Sequence, residues 1–350
     1  STNTYSGKIR ASELFSDIKV IYFPLDYKFI ISSWLKLSKI QSMLIYETEI
    51  WPNFYKICGN KNIKLCVVNA RIQKNLHDKK FIKNIYIEAL GNCEFIMCKS
   101  DYEKEKYLKL GIKEKFLLSV GNLKYAYTSC EIKERDELND EQAEEIQEET
   151  LSYFLMASTH DPDEENFLQA IKELLDHGIG TVIAPRHINR SKRIAKFFED
   201  NGIKTYFLSK DKNILGQWKD IGILILDTFG DLPKFYRNSK YVYVGGGYSK
   251  RGVQNIIEPS IYGKPIIVGP NIDNFYEEIE NLKQLKGITI IEHDKSISVQ
   301  ENIAKNIRKF HGLNNEALIK KGKIAKTYSL KFKNVVENYI KILKDKKIIN

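Results

Sequence analysis

The sequence predicts an α/β chain of two Rossmann-like domains, each a parallel sheet flanked by helices, with an interdomain cleft between the carboxyl ends of the sheets. Three observations carry this expectation. The chain has 350 residues, 43% of them hydrophobic, more than the roughly 250–300 residues at which single cores stop growing. Short apolar runs alternate with helical stretches, the pattern of strands joined by crossover helices. That alternation stops in an acidic stretch, Glu131–Thr150, with five glutamates between Glu141 and Glu149, and then begins again.

In the first domain, residues 1–128, strands are expected near Lys19–Leu25, Ser42–Tyr46, Lys64–Asn69, Phe95–Lys99 and Leu117–Val120. Helices are expected near Leu76–Leu90 and Asp101–Leu110. Residues 129–150 read as an acidic linker with a solvated helix. The second domain, residues 151–350, has expected strands near Tyr153–Ala157, Thr181–Ala184, Thr205–Leu208, Ile221–Leu226, Tyr241–Gly245, Pro265–Val268 and Ile288–Ile291. The lysine-rich stretch Leu318–Leu343 reads as one or two terminal helices.

The net charge of +10 is uneven, because residues 1–125 hold 21 Lys+Arg against 12 Asp+Glu. A basic face on the first domain would suit an anionic partner, either nucleic acid or phosphorylated lipid at a membrane surface, or would simply be solvated. Nucleic acid ranks low, since no aromatic and basic stacking platform accompanies the lysines. Cys58, Cys66, Cys93, Cys98 and Cys130 contain no C-x-x-C pair and read as reduced structural thiols. No apolar run reaches the roughly 18–20 residues needed to span a bilayer, and no signal peptide is expected.

The candidate functional residues gather at predicted strand ends, where α/β sheets bind ligands. Glu47, in Ile45-Tyr46-Glu47-Thr48-Glu49-Ile50-Trp51-Pro52-Asn53, could stabilise charge, or the segment could be a helix start with Pro52 in the first turn. Lys124, in Gly121-Asn122-Leu123-Lys124-Tyr125, could neutralise a departing phosphate. Ser158, Thr159 and His160 precede a helix and could face an anion, or cap the helix. Asp161-Pro162-Asp163 resembles a metal motif only in letters, and a capping turn is the better reading. Pro185, Arg186 and His187, with Arg190 close behind, concentrate positive charge that would repel itself without an anion. Phe229, Gly230 and Asp231 form another strand-to-helix turn. Gly245, Gly246 and Gly247 free the backbone for a phosphate, and Asn255-Ile256-Ile257-Glu258 then presents an amide and a carboxylate one turn apart, where Glu258 could accept from ribose hydroxyls. All the second-domain motifs sit at one edge of one sheet, which favours a nucleotide site.

In this order and spacing, E-T-E-I-W-P-N, G-N-L-K-Y, A-S-T-H, A-P-R-H-x-x-R, D-T-x-G-D-L, V-G-G-G and Q-N-I-I-E-P followed by G-P and N-F resemble the Kdo (3-deoxy-D-manno-octulosonic acid) transferases, over about residues 1–285. The resemblance implies a GT-B glycosyltransferase that moves Kdo from CMP-Kdo to lipid IVA, the lipid A precursor, with inversion. The first domain would take the acceptor and the second would hold CMP. Glu47 and Lys124 would be the pair that stabilises the transition state. Pro185 and Arg186, Phe229 to Asp231, and Asn255 to Glu258 would contact CMP. No cofactor or metal is expected, because one leaving phosphate can be neutralised by Lys124, Arg186 and backbone N–H groups. Arg71, Lys74, Lys79, Lys80 and Lys83 are candidates for a face that meets the acceptor's phosphates at the cytoplasmic surface of the bacterial inner membrane.

Members of that family usually begin with a hydrophobic anchor, a strand and a loop whose Glu serves as general base. The sequence starts beyond these features, so a first domain without its first strand is expected and no residue takes the base role. Gln254 stands where the family more often has His, and Asp231 where it more often has Glu; both keep hydrogen-bonding ability. Two other readings remain: a nucleotide- or lipid-binding fragment that cannot catalyse, and a GT-B enzyme that uses a UDP-sugar.

Overall fold

The computed structural model describes residues 1–2, 5–47, 49–72, 80–126, 153–210 and 222–349. Residue contacts divide the chain into two compact units, Ser1–Leu123 with Val335–Asn350, and Lys124–Asn334. The expected linker 129–150 lies outside the described residues, as do Thr48, Lys74, Lys79 and Cys130.

The first unit is built on a parallel sheet in the order β1-β2-β3-β4, with β1 Ser42–Tyr46, β2 Lys64–Ala70, β3 Phe95–Cys98 and β4 Leu117–Ser119. Helices Pro52–Asn60, Lys80–Leu90 and Asp101–Leu110 connect successive strands. Each boundary has a local cause. Pro52 occupies the first turn of its helix, where its missing N–H costs nothing. The Ser100 hydroxyl accepts from the Glu103 N–H, and Gly111 ends the same helix at φ +107. Ile31, Phe54, Tyr55, Leu65, Val67, Ile96 and Tyr107 fill the core.

Lys19–Leu25 is not a strand. One isolated bridge joins Thr2 to Tyr22, and Pro24 has no N–H with which to extend a ladder. Phe23 instead packs its ring against Phe54, Trp51 and Trp34, with centroids 5.1, 5.5 and 6.0 Å apart. The apolar character of this run is used in a cluster of aromatic rings.

The end of the chain belongs to the first unit, whereas the sequence boundary placed all of 151–350 in the second. Helix Val335–Asp345 presents Tyr339, whose hydroxyl donates to the carbonyl of Gly121 at 3.0 Å and accepts from the Asn69 N–H at 3.2 Å. The carboxyl ends of β2 and β3 and the turn after β4 are thereby tied to one helix, since Tyr339 also reaches the Met97 carbonyl.

The second unit has a seven-stranded parallel sheet in the order β11-β10-β9-β5-β6-β8-β7. Its strands are β5 Tyr153–Thr159, β6 Thr181–Pro185, β7 Lys204–Phe207, β8 Gly222–Ile225, β9 Ser239–Val244, β10 Ile266–Val268 and β11 Ile288–Ile290. From β5 the chain fills one side of the sheet, then returns to fill the other from β9. This makes a topological switch point between β5 and β9, the place where open parallel sheets bind ligands. The inner strands β5, β6, β8, β9 and β10 are buried on both faces and read as nearly continuous apolar runs for that reason. No helix among the described residues is long and apolar enough to cross a membrane.

Candidate nucleotide and catalytic sites

At the switch point, the next-to-last residue of β5, Ser158, adopts φ +54, a left-handed conformation that costs a serine energy and persists only where the surroundings fix it. Just beyond it, the backbone is held by Asp163. Its Oδ2 accepts from the His160 N–H at 2.8 Å and the Gly246 N–H at 2.7 Å, while Oδ1 accepts from the Tyr243 hydroxyl at 2.8 Å. One buried carboxylate therefore joins the turn after β5 to the glycine loop after β9. Burial raises its pKa to about 6 even though all three hydrogen bonds favour the charged form.

The neighbouring carboxylates are occupied as well. Thr159 Oγ1 donates to Glu164 Oε1 at 2.5 Å, and Arg190 bridges Glu164 Oε2 at 2.7 Å, Asp161 Oδ1 at 2.5 Å and the Thr159 carbonyl at 2.9 Å. Arg193 also pairs with Asp161. The two Asp residues of Asp161-Pro162-Asp163 are thus engaged in separate tasks, one in an ion-pair network and one in holding backbone.

The glycines are demanded first by backbone contact. A Cβ on Gly245 would lie 2.5 Å from Thr159 Cα, and one on Gly247 would lie 2.6 Å from Gly269 Cα. Gly246 adopts φ +91, where any side chain would be strained.

Of the basic turn after β6, Arg190 faces inward to carboxylates, while Arg186 and His187 are exposed and Arg186 N–H donates to the Thr159 carbonyl at 3.1 Å. His187 and His160 face one another with ring centroids 5.5 Å apart. Burial, and then Arg251, His187, Arg190 and Arg186, push the pKa of His160 down to about 4. His187 is lowered by burial and then by Arg251, Arg186 and Arg190. A cleft of about 280 Å³ opens here, lined by His160, Asp161, His187, Arg190, Ser249, Lys250 and Arg251.

Beyond the glycine loop, Asn255 Nδ2 donates to Glu258 Oε1 at 2.9 Å and Tyr236 donates to Oε2 at 3.3 Å, which fixes the carboxylate's orientation. The side chains of Ile256 and Ile257 are fully buried in the core, leaving only their backbone for a ligand. After β8, Phe229 is 89% exposed, Gly230 adopts φ +83, and Asp231 accepts from Thr228 Oγ1 at 2.6 Å and Lys234 Nζ at 2.8 Å. These segments share the carboxyl edge of one sheet with Pro185, which ends β6.

In the first unit, β1 delivers Glu47 at φ +60, and Arg71 Nη2 lies 3.2 Å from its Oε2. Asn69, itself at φ +52, donates from Nδ2 to Tyr46 Oη at 3.1 Å and accepts the Leu123 N–H at 3.0 Å. The helix after Glu47 is capped from a distance: Asp26 accepts from the N–H groups of Asn53 at 3.1 Å and Phe54 at 2.8 Å. Arg71, a candidate for the face that meets the acceptor's phosphates, pairs with Glu47. Lys83 is half-buried on helix Lys80–Leu90, and the side chain of Lys80 lies outside the described residues. Lys124 falls in the second unit, with Nζ 5.8 Å from the centre of the Phe275 ring. The four described cysteines are buried and unbridged, and burial pushes Cys58, Cys66 and Cys98 up to about 12.

Residues 1–127 match the family described as 3-deoxy-D-manno-octulosonic-acid transferase. Curated 3-deoxy-D-manno-octulosonic acid transferases align along most of the chain; that of Haemophilus influenzae is 26% identical over 82% of the chain and 67% of its own length. Over residues 1–127 the chain carries a Kdo transferase family domain. A bifunctional glycosyltransferase/methyltransferase of Fusobacterium nucleatum is 31% identical over 86% of the chain, which spans about half (49%) of that relative. Among solved structures, the UDP-GlcNAc 2-epimerase of Neisseria meningitidis superposes with a TM-score of 0.63 at 14% identity, covering 97% of this chain and 90% of its own. The fold is GT-B.

Sequence reasoning missed three sets of groups. Asp163 was read as a capping residue, yet it holds two loops together. Arg251 escaped notice because its isolation from carboxylates is a property of the fold. Asn271 and Asn274 bond the loop from 26 and 29 residues beyond Gly245; their signal was the G-P and N-F segment, quoted as a motif without a task.

Proposed function

We propose that this chain is a glycosyltransferase that moves Kdo from CMP-Kdo to lipid IVA, with inversion and without a metal, as a peripheral protein at the cytoplasmic face of the inner membrane. The observation that carries the reading is the cationic edge at the β5/β9 switch point, beside a carboxylate oriented for ribose. Arg186 and the backbone N–H groups of the turns after β5 and β9 would hold the CMP phosphate. Glu258, aligned by Asn255 and Tyr236, would accept the ribose hydroxyls. As the glycosidic bond to phosphate breaks, Lys124 would neutralise charge on the departing oxygen, where a fixed ammonium acts most strongly on the transition state. Glu47, oriented by Arg71, would stabilise positive charge developing on the sugar. The excess of basic residues over 1–125 suits an acceptor that carries phosphates, each nearby Lys or Arg adding about 1 kcal/mol at an anionic surface.

Calorimetric titration of CMP and of UDP into this chain and into an Arg186→Ala, Glu258→Ala variant tests the reading. Binding of CMP that is lost in the variant is the expected result, followed by formation of Kdo-lipid IVA from CMP-Kdo. Tighter binding of UDP than of CMP would move the protein to a UDP-sugar transferase, and binding without transfer would leave a recognition fragment.

A further inference from the structure

The cleft between His160, His187 and the segment Ser249–Arg251 has a charge excess that the fold does not use. The loop carrying Arg251 is fixed at nearly every residue. Ser249 Oγ donates to the Gly246 carbonyl at 2.9 Å and accepts from the Arg251 N–H at 3.1 Å. Asn271 Nδ2 donates to the Ser249 carbonyl at 2.9 Å, and Asn274 Nδ2 donates to the Arg251 carbonyl at 2.6 Å. Gly252, at φ +75, lets the chain turn back immediately afterwards.

A backbone held this firmly presents an exposed guanidinium that has no carboxylate partner among the described residues. Its Nη1 lies 3.4 Å from His187 Nε2. A guanidinium can only donate, so this contact needs the neutral imidazole with Nε2 as acceptor. The carboxylate that lines the cleft, Asp161, is already held by Arg190 and Arg193. Lys250 adds a further exposed cation to the same wall. Arg251 also depresses both imidazoles, the sign of positive charge awaiting an anion.

We propose that Arg251, fixed by the glycine loop and aligned by His187, binds an oxyanion group of the donor substrate. This rests on the donor reading given above. A planar guanidinium on a fixed loop suits bidentate contact with phosphate or carboxylate oxygens, and a lysine would not reproduce that geometry. Both anions occur in a nucleotide-linked ulosonic acid: the phosphate of the nucleotide and the carboxylate of the sugar. The cleft adjoins the turns after β5, β6 and β9, so it extends the nucleotide site and does not form a separate one.

The test compares the full chain with Arg251→Ala and Arg251→Lys, titrated calorimetrically with cytidine, CMP and CMP-Kdo at fixed ionic strength. A loss of about tenfold or more for CMP in both variants, with cytidine unchanged, assigns the phosphate. CMP within about twofold of the parent, with CMP-Kdo weakened about tenfold or more, assigns the carboxylate. Equal affinities of all three proteins for every ligand overturn the proposal. A parallel titration with inorganic phosphate, following the imidazole resonances of His160 and His187 by NMR, separates this site from the donor reading. Arg251-dependent shifts in a chain that ignores CMP would retain the oxyanion site and overturn its assignment to the donor; the absence of such shifts there would overturn both.

Discussion

At the strand ends of the first unit the polar groups bond to one another, whereas at those of the second unit several cations stand without a carboxylate partner among the described residues. Glu47 is matched by Arg71, and Asn69 links Tyr46, Leu123 and Tyr339. In the second unit Asp161, Asp163 and Glu164 are consumed by backbone and by Arg190, while Arg186, Lys250 and Arg251 have no carboxylate partner among the described residues. The same strand-to-loop geometry, including a non-glycine residue at positive φ in each unit, thus serves two electrostatic ends. An internally balanced edge can hold a reacting group at fixed orientation through a catalytic cycle. A cationic edge gains its counter-charge when an anionic ligand arrives, so part of its folding cost is recovered as binding.

The largest expected effect comes from removing the balanced carboxylate. Glu47→Gln keeps size and some hydrogen bonding but removes the charge, so kcat for Kdo transfer should fall about 100- to 1,000-fold. CMP affinity should stay within about twofold, because the role proposed for Glu47 is on the transition state and not on the nucleotide. Initial rates and calorimetry on the same preparation decide it. A parallel fall in rate and CMP affinity would break the comparison, since Glu47 would then belong to donor binding.

An intermediate effect is expected at Asp163, the group that lets the cationic edge exist. Asp163→Ala strands two buried backbone N–H groups and the Tyr243 hydroxyl, at about 1–3 kcal/mol each, and should lower stability in urea unfolding by about 3 kcal/mol or more. Asp163→Asn behaves differently. Its carbonyl oxygen can still accept from His160 and Gly246, and its NH₂ can donate to Tyr243 Oη, which reverses its role. Stability should therefore drop by only about 1 kcal/mol, and CMP affinity should survive in Asn while falling in Ala. Equal losses in the two variants would mean that the negative charge itself, and not the hydrogen-bond geometry, holds the two loops.

The sequence carried the architecture because its signal is local. Ser42–Tyr46 and Asp101–Leu110 coincide with a strand and a helix, since apolar runs and capping residues act within a few positions. Lys19–Leu25 has the same apolar character but, among the described residues, only an isolated bridge to Thr2 in place of a ladder, and a neighbouring strand is a tertiary fact. Helix Val299–His311 did have a local signal: Ser298 accepts from the Glu301 N–H, the S-x-x-E pattern of a helix start. The site was legible as motifs at strand ends. What sets its chemistry was not, because the Asp26 cap, the Arg71 partner of Glu47 and the Asn274 anchor of Arg251 act across 27, 24 and 23 residues.

The smallest expected effect sharpens the comparison through pH. At the strand ends of the first unit, burial and then Glu47 raise Tyr46 to about 12, so it stays neutral across the acid range. His160 in the second unit has a folded pKa of about 4, below the unfolded value of 6.5. Its contribution to stability is complete above that unfolded value and is lost as the unfolded chain gains a proton that the fold refuses, down to the folded pKa. Asp163 slopes the other way: its folded pKa of about 6 exceeds the unfolded 3.8, so its contribution declines as pH rises between the two. The two slopes partly cancel in the parent protein. Urea midpoints measured from pH 7 down to pH 4 should therefore fall more steeply in Asp163→Asn than in the parent, and less steeply in His160→Asn. Phosphate, by supplying the missing counter-charge, should favour the protonated imidazole and flatten the His160 slope. Identical pH profiles in all three proteins would mean that the cations of this edge are screened by solvent, and the contrast between the two units would then be one of hydrogen bonding alone.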